Sequence, residues 1–338
     1  MNPHSSPRVQ VWDGWRGLAI LLVLTGHFAD TGWIWEERMG VDVFFVLSGM
    51  LMSNILFVKR MALRDFYIRR ISRVMPALIV FLVGSYVVSL IMHYDFQVVE
   101  LFASLFFIRT YYPEVPAYFM SDLPTRHLWS LNVEEHSYVI MSILSLLLYF
   151  WRGLAAVLLL IYCAATFMGF YYLVSMPAAE LGPMLFRTET TIGFIAFSAA
   201  YCLIKRNREI TLNPWISMVL LFAALLCYLT TVPVWFTFLL CPILLGVAVN
   251  HLVDSPKLVV SILSSKPLVH LGVLSYSIYL WQQIFYKLHY AFPYGPVTGL
   301  ILSLIFGALS FYIIENPARK YINQRWSPAP KTRNLATE

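Results

Sequence analysis

The chain has 338 residues, 59% of them hydrophobic and 12% charged, with a formal net charge of +6. Soluble domains carry roughly a quarter charged residues, so this composition excludes a water-soluble fold and reads as an all-α integral membrane protein. The positive charge does not indicate a nucleic-acid partner, because the basic residues flank apolar runs.

Apolar runs of crossing length fall near 15–35, 40–57, 75–93, 132–151, 153–175, 188–204, 214–231, 234–252, 268–290 and 297–314. They predict about ten transmembrane helices, with a shorter run at 96–108 suited to the interface. All but five of the 24 Lys and Arg residues fall in the N-terminal segment, the tail, or the links after even-numbered spans. That bias and the even count both place the two termini in the cytoplasm. The first span has no basic leader and no small-residue cleavage site, so it reads as retained. The expected organisation is a cytoplasmic segment at 1–11, a transmembrane domain at 12–322 and a disordered cytoplasmic tail at 323–338. The cysteines (163, 202, 227 and 241) lie in apolar runs and read as small hydrophobes, and the histidines show no metal-ligand spacing.

The first span, "WDGWRGLAILLVLTGHF", carries Arg16 and His27. Eleven helical steps make about three turns plus roughly 20°, so both lie on one stripe, about 16 Å apart along the axis. Alone, Arg16 reads equally as a snorkelling residue at the inner face, and His27 as a neutral imidazole bonded between helices. Together they suggest a cavity running inward from the cytosol, with a cation for an anionic ligand and an imidazole for general-base work.

"GVDVFFVLSG" places Asp42 at the outer start of the second span, either orienting the imidazole or favoured there by the helix dipole. Ser48-Gly49 reads as a cavity-lining break or as a close-packing point. "FYIRRISRVMP" supplies Arg69, Arg70 and Arg73; Arg69 and Arg73 share a face able to clamp a phosphorylated ligand, or the run is a positive-inside patch. In "RHLWSLNVEEHSY", Asn132 and Glu135 fit a capping box, Glu134 is a candidate cavity residue, and His127 is a second acid–base or hydroxyl-binding candidate. Trp129 fits the aromatic belt or a sugar-stacking site.

These motifs, with "LGVLSYSIYLWQQ" (271–283) and "IENPARK" (314–320), resemble acyltransferase family 3, the bacterial membrane acyltransferases that modify surface carbohydrates and some small molecules. The resemblance covers roughly residues 10 to 322 and rests on six motifs in order. It implies about ten transmembrane helices in the bacterial inner membrane. It also implies acyl-coenzyme A, acetyl by default, as co-substrate and a carbohydrate as acceptor. On that footing His27, Arg16, Asp42 and Glu134 are the candidate catalytic residues, and Arg16, Arg69, Arg70, Arg73 and Ser48 the candidate donor-binding ones. His127, Trp129, Glu135 and Tyr279 are the candidate acceptor-binding residues, and no metal is implied. His27 either takes a proton from the acceptor hydroxyl or first takes the acyl group itself. The chain departs from the family at Ser137-Tyr138, where Phe-Tyr is frequent, and at Gln282, where histidine is frequent, so Gln282 is expected to tune the substrate and not to do chemistry. The rival readings are a proton-coupled transporter and acylation of a small metabolite.

Overall fold

The computed structural model describes residues 7–29, 31–113, 122–147 and 153–326. Fourteen α-helices make up the described fold. They are α1 (Pro7–Phe28), α2 (Glu36–Met52), α3 (Leu63–Ile91), α4 (Val98–Leu105), α5 (Trp129–Leu147), α6 (Leu154–Ser175), α7 (Ala178–Leu185), α8 (Thr188–Arg208), α9 (Ile216–Cys227), α10 (Trp235–Asn250), α11 (Lys257–Leu263), α12 (Lys266–Leu288), α13 (Gly295–Ser310) and α14 (Asn316–Trp326). Among the described residues the only pairing between extended segments is an isolated bridge, Ile34 with Leu229.

Ten of these helices stand where the ten apolar runs predict spans. By length and composition four helical segments suffice to cross a membrane, and five if the bent pair α11–α12 counts as one. The outward faces agree with a lipid setting. Ile79, Val83, Val87 and Ile91 on α3, and Leu160, Phe167 and Val174 on α6, are all exposed. Soluble monomers rarely expose such contiguous apolar stripes, so the chain is a membrane protein. The run at 96–108 forms α4, whose Glu100 is buried against Arg109 at 2.6 Å. Of the expected tail, 323–326 are the last residues of α14, and 327–338 lie outside the described residues.

The core that positions the site is the packing of α1 on α12. These helices run parallel: Gly272 approaches Asp13 near one end, and His27 meets Tyr286 near the other. The approach is close because the contact residues are glycines. A Cβ at Gly272 would stand 1.7 Å from the Asp13 carbonyl oxygen, and one at Gly17 would stand 2.1 Å from that of Leu268. Without a hydrophobic drive between helices in lipid, small residues that let backbones touch supply the packing attraction. α3 lies antiparallel to α5, as Tyr67 bonded to Ser142 and Arg70 bonded to Glu135 show. A second apolar cluster, including Leu78, Phe81, Leu128, Leu131 and Ile284, ties α3, the start of α5 and α12 together.

α2 stays helical through Ser48-Gly49, which therefore is no break. Gly49 is a packing point, its Cα side pressed on the Ile195 carbonyl, while Ser48 faces a cavity. The departure from α-geometry comes later, as a π-helical turn at Ser53–Val58.

Candidate functional site

A cavity of about 290 Å³ lies between α1, α2, α3, α5 and α12. Arg16 from α1 and Arg69 and Arg73 from α3 line it. Arg16 donates to Asp13 one turn earlier at 2.6 Å, which fixes its guanidinium without burying the charge alone. Neither Arg69 nor Arg73 has an ion-pair partner within 4 Å among the described residues. Four guanidiniums line one cavity, and with only Arg70 held by two glutamates they make an anion-binding wall.

The third arginine of the run behaves differently. Arg70 donates from Nη2 to Glu134 and from Nε to Glu135, each at 2.7 Å, and its guanidinium stacks 4.2 Å from the Tyr138 ring centroid. Glu134 also accepts from Ser48 Oγ at 2.6 Å and from the Tyr138 hydroxyl. Arg70 is thus the hub of a polar knot joining α2, α3 and α5, with Glu134 and Ser48 on the cavity wall. Glu135 is committed to Arg70. The capping box is not formed, because α5 begins at Trp129, led in by a 3₁₀ turn at Arg126–Leu128, and Asn132 lies inside it.

Asp42 sits elsewhere. Its Oδ2 accepts from Arg38 Nε at 2.9 Å and from the Tyr228 hydroxyl at 2.8 Å, and the carboxylate is fully buried. The partners the structure gives it are therefore on α2 and beside α9, not the imidazole of His27. Arg38 in turn stands over the rings of Trp129, at 5.0 Å, and Phe238, at 5.3 Å. Trp129 is buried against Phe45 and Phe186 and belongs to this cation–aromatic cluster, not to an exposed belt.

At the cavity wall Ser130 and Tyr279 meet, their hydroxyls 2.7 Å apart. Tyr279 also donates to the carbonyl of His127 at 2.8 Å. Behind this pair lies a buried polar cluster. The His127 ring packs edge-on against Phe81 and Tyr279, with the Leu280 backbone its polar neighbour. His27, in the last turn of α1, lies within electrostatic reach of His127 and packs on Tyr286 with ring centroids 4.5 Å apart. The Gln282 side chain faces His27. Among the described residues, His27 Nδ1, both His127 ring nitrogens and both amide atoms of Gln282 are buried without a hydrogen bond.

Arg16 and His27 therefore share one helix face as the spacing predicts, but Arg16 lines the cavity while His27 stands past the Ser130–Tyr279 pair. Sequence reasoning passed over Arg38 and did not foresee that Gln282 faces His27. Arg38 and Asp42 are four apart on one helix, a spacing that signals an ion pair. Gln282 falls one turn from both Tyr279 and Tyr286 on the stripe of α12 that faces α1.

The fold and the site define a helical membrane protein with an arginine-walled internal cavity backed by buried imidazoles. A family model described as an acyltransferase domain, acyltransferase 3, matches residues 9–315, and the chain belongs to that family. Its relatives include the peptidoglycan O-acetyltransferase OatA of Listeria monocytogenes, 28% identical over 94% of this chain and 57% of the relative. A putative peptidoglycan O-acetyltransferase of Bacillus subtilis is 28% identical over 91% of this chain and 54% of its own length. A putative O-acetyltransferase of Staphylococcus aureus is 24% identical over 91% and 57%. The chain thus spans little more than half the length of these relatives. No solved structure matches it.

Proposed function

We propose that this chain is a membrane O-acyltransferase that moves an acyl group, acetyl by analogy with its relatives, from acyl-coenzyme A to a hydroxyl of a cell-surface carbohydrate or its lipid-linked precursor. In this reading ten helices cross the bacterial inner membrane, both termini face the cytosol, and the donor enters at the arginine wall. The observation that carries it is that Arg69 and Arg73, neither within 4 Å of a carboxylate among the described residues, line the same cavity as Ser130 and Tyr279, behind which the two imidazoles lie. Arginines placed in this way suit phosphates through charge-assisted bonds. The thioester then passes along α1, over the roughly 16 Å that separate Arg16 from His27.

His27 takes the proton of the acceptor hydroxyl as that oxygen attacks the thioester carbon, and returns it to the departing thiolate. The acceptor arrives from the opposite side over the rings that lead out from His27. Tyr286 stacks on His289 with centroids 5.6 Å apart, and His289 lies 3.8 Å from Tyr290, which is 90% exposed.

The test uses purified full-length protein in lipid nanodiscs with labelled acetyl-coenzyme A and a soluble glycan acceptor. Transfer of label to the glycan is expected, together with its loss in His27→Ala at wild-type membrane levels. Gradient-driven uptake in liposomes without any consumption of acyl-coenzyme A overturns the reading in favour of a carrier. Full transfer by His27→Ala removes that residue from the chemistry.

A further inference from the structure

Resting on the transferase reading, we infer that Gln282 is a catalytic residue: its amide N–H groups bind the oxyanion that forms on the acyl carbonyl during transfer. Gln282 is 0% exposed, and among the described residues neither end of its amide makes a well-formed hydrogen bond, its one polar neighbour being His27. An amide offers two donors and an acceptor, and burying it with neither end satisfied is costly unless a ligand completes it. Its side chain faces His27, whose Nδ1 is likewise buried and unbonded. Tyr279 and Leu280, immediately before it on α12, line the donor cavity. A thioester carbonyl that comes from that cavity to His27 therefore meets Gln282 at the same moment.

The step balances. The acceptor oxygen bonds to the carbonyl carbon while its proton passes to His27, and the π pair moves onto the carbonyl oxygen. That oxyanion accepts from Gln282 Nε2. Collapse restores the carbonyl, breaks the carbon–sulfur bond, and the thiolate takes the proton from His27. The same oxyanion arises if the imidazole itself is the nucleophile, so the role of Gln282 holds on either route. Donors fixed before reaction at the place where charge develops raise kcat more than they lower KM.

Three variants in the full chain separate this role from its rivals. Gln282→Met keeps the volume and removes an unsatisfied amide, so its thermal midpoint stays at or above that of the wild type. Its kcat for acetyl transfer falls about 10²- to 10³-fold, with the donor KM within about threefold. A trifluoromethyl ketone analogue of the acyl donor, whose hydrate mimics the tetrahedral species, loses affinity for this variant by a comparable factor. Gln282→His restores a donor and keeps transfer within about tenfold of the wild type. Gln282→Glu decides between binding the oxyanion and merely orienting the imidazole. An ionised carboxylate still accepts from an imidazole N–H but repels an oxyanion, so at pH values where the new carboxyl is ionised its kcat falls at least as far as that of the methionine variant, while the protonated acid formed at lower pH donates and restores part of the rate. Wild-type transfer by Gln282→Met, or activity of Gln282→Glu retained where its carboxyl is ionised, overturns the assignment while leaving the transferase reading intact. A wild-type protein that never consumes acyl-coenzyme A overturns both.

Discussion

Replacing Arg70 by methionine separates a structural arginine from two ligand-binding ones within four residues of each other. Its guanidinium is the common partner of Glu134 and Glu135, each at 2.7 Å, and its side chain is only 14% exposed. Removing it leaves two carboxylates on adjacent residues of α5 in an interior without their counter-charge, and breaking a buried pair in this way costs about 3–5 kcal/mol. The expected result is a fall in the unfolding midpoint of the protein in detergent or nanodiscs, with low folded yield. Arg69→Met breaks no ion pair and should leave that midpoint near the wild type, whereas Arg73→Met removes a charge within electrostatic reach of the buried Glu315 and should lower it by less than Arg70→Met does. Each also removes a charge-assisted contact with the donor phosphates, worth about 1.5–3 kcal/mol. At 1.4 kcal/mol per factor of ten, that is a donor KM raised about 10- to 100-fold. A control restores the balance of charge: Arg70→Met with Glu134→Gln and Glu135→Gln should recover most of the lost stability, because two neutral amides replace the uncompensated carboxylates. The reasoning fails if Arg70→Met unfolds at the wild-type temperature, or if the Arg69 and Arg73 variants keep a wild-type donor KM.

Gly272→Ala should reduce the yield of folded protein in the membrane, since its new methyl would meet the Asp13 carbonyl at 1.7 Å and force α1 from α12. Size-exclusion profiles of the solubilised variant give the measure, and a wild-type profile would show that the helices part without cost. Asp42→Ala strips Arg38 of its buried partner, and the loss of about 3–5 kcal/mol should appear as thermal instability. Asp42→Asn, which still accepts from Tyr228, should keep transfer per folded molecule within a few-fold; a selective collapse of kcat in that variant would return Asp42 to the chemistry. Tyr290→Ala should raise the glycan KM several-fold with the donor KM and the melting point unchanged, whereas Tyr290→Trp should preserve it. A change in membrane level without a change in glycan KM would mark Tyr290 as an interfacial anchor.

The positions of the helices were legible because a run of apolar residues of crossing length has few alternatives. What each polar residue meets was not, because it depends on how the helices are turned. Arg69, Arg70 and Arg73 read as one basic run, yet neighbours on a helix point about 100° apart. All three line the cavity, but that rotation sends the Arg70 guanidinium to the glutamates of α5 and leaves Arg69 and Arg73 without such partners. Asn132 and Glu135 carry the letters of a capping box, but a box needs a helix start, and α5 had already begun at Trp129. Its glutamate was free to pair across the bundle instead.

The apparent conflict over the first span resolves in the same terms. A shared stripe on α1 does not place two side chains in one chamber; the helices around it decide that. α12, held against α1 through Gly17 and Gly272, carries Tyr279 to the cavity wall and Gln282 to His27. The arginine then meets a cavity of about 290 Å³, while the imidazole meets a tight buried cluster. A transferase needs that division. The group that is bound and the group that is moved differ in size and charge, and an uncharged thioester must leave its phosphates behind to reach a buried base. The Ser130–Tyr279 pair stands on the cavity wall and bonds to the His127 carbonyl, so in the proposed reaction its hydroxyls, 2.7 Å apart, border the path between the two regions.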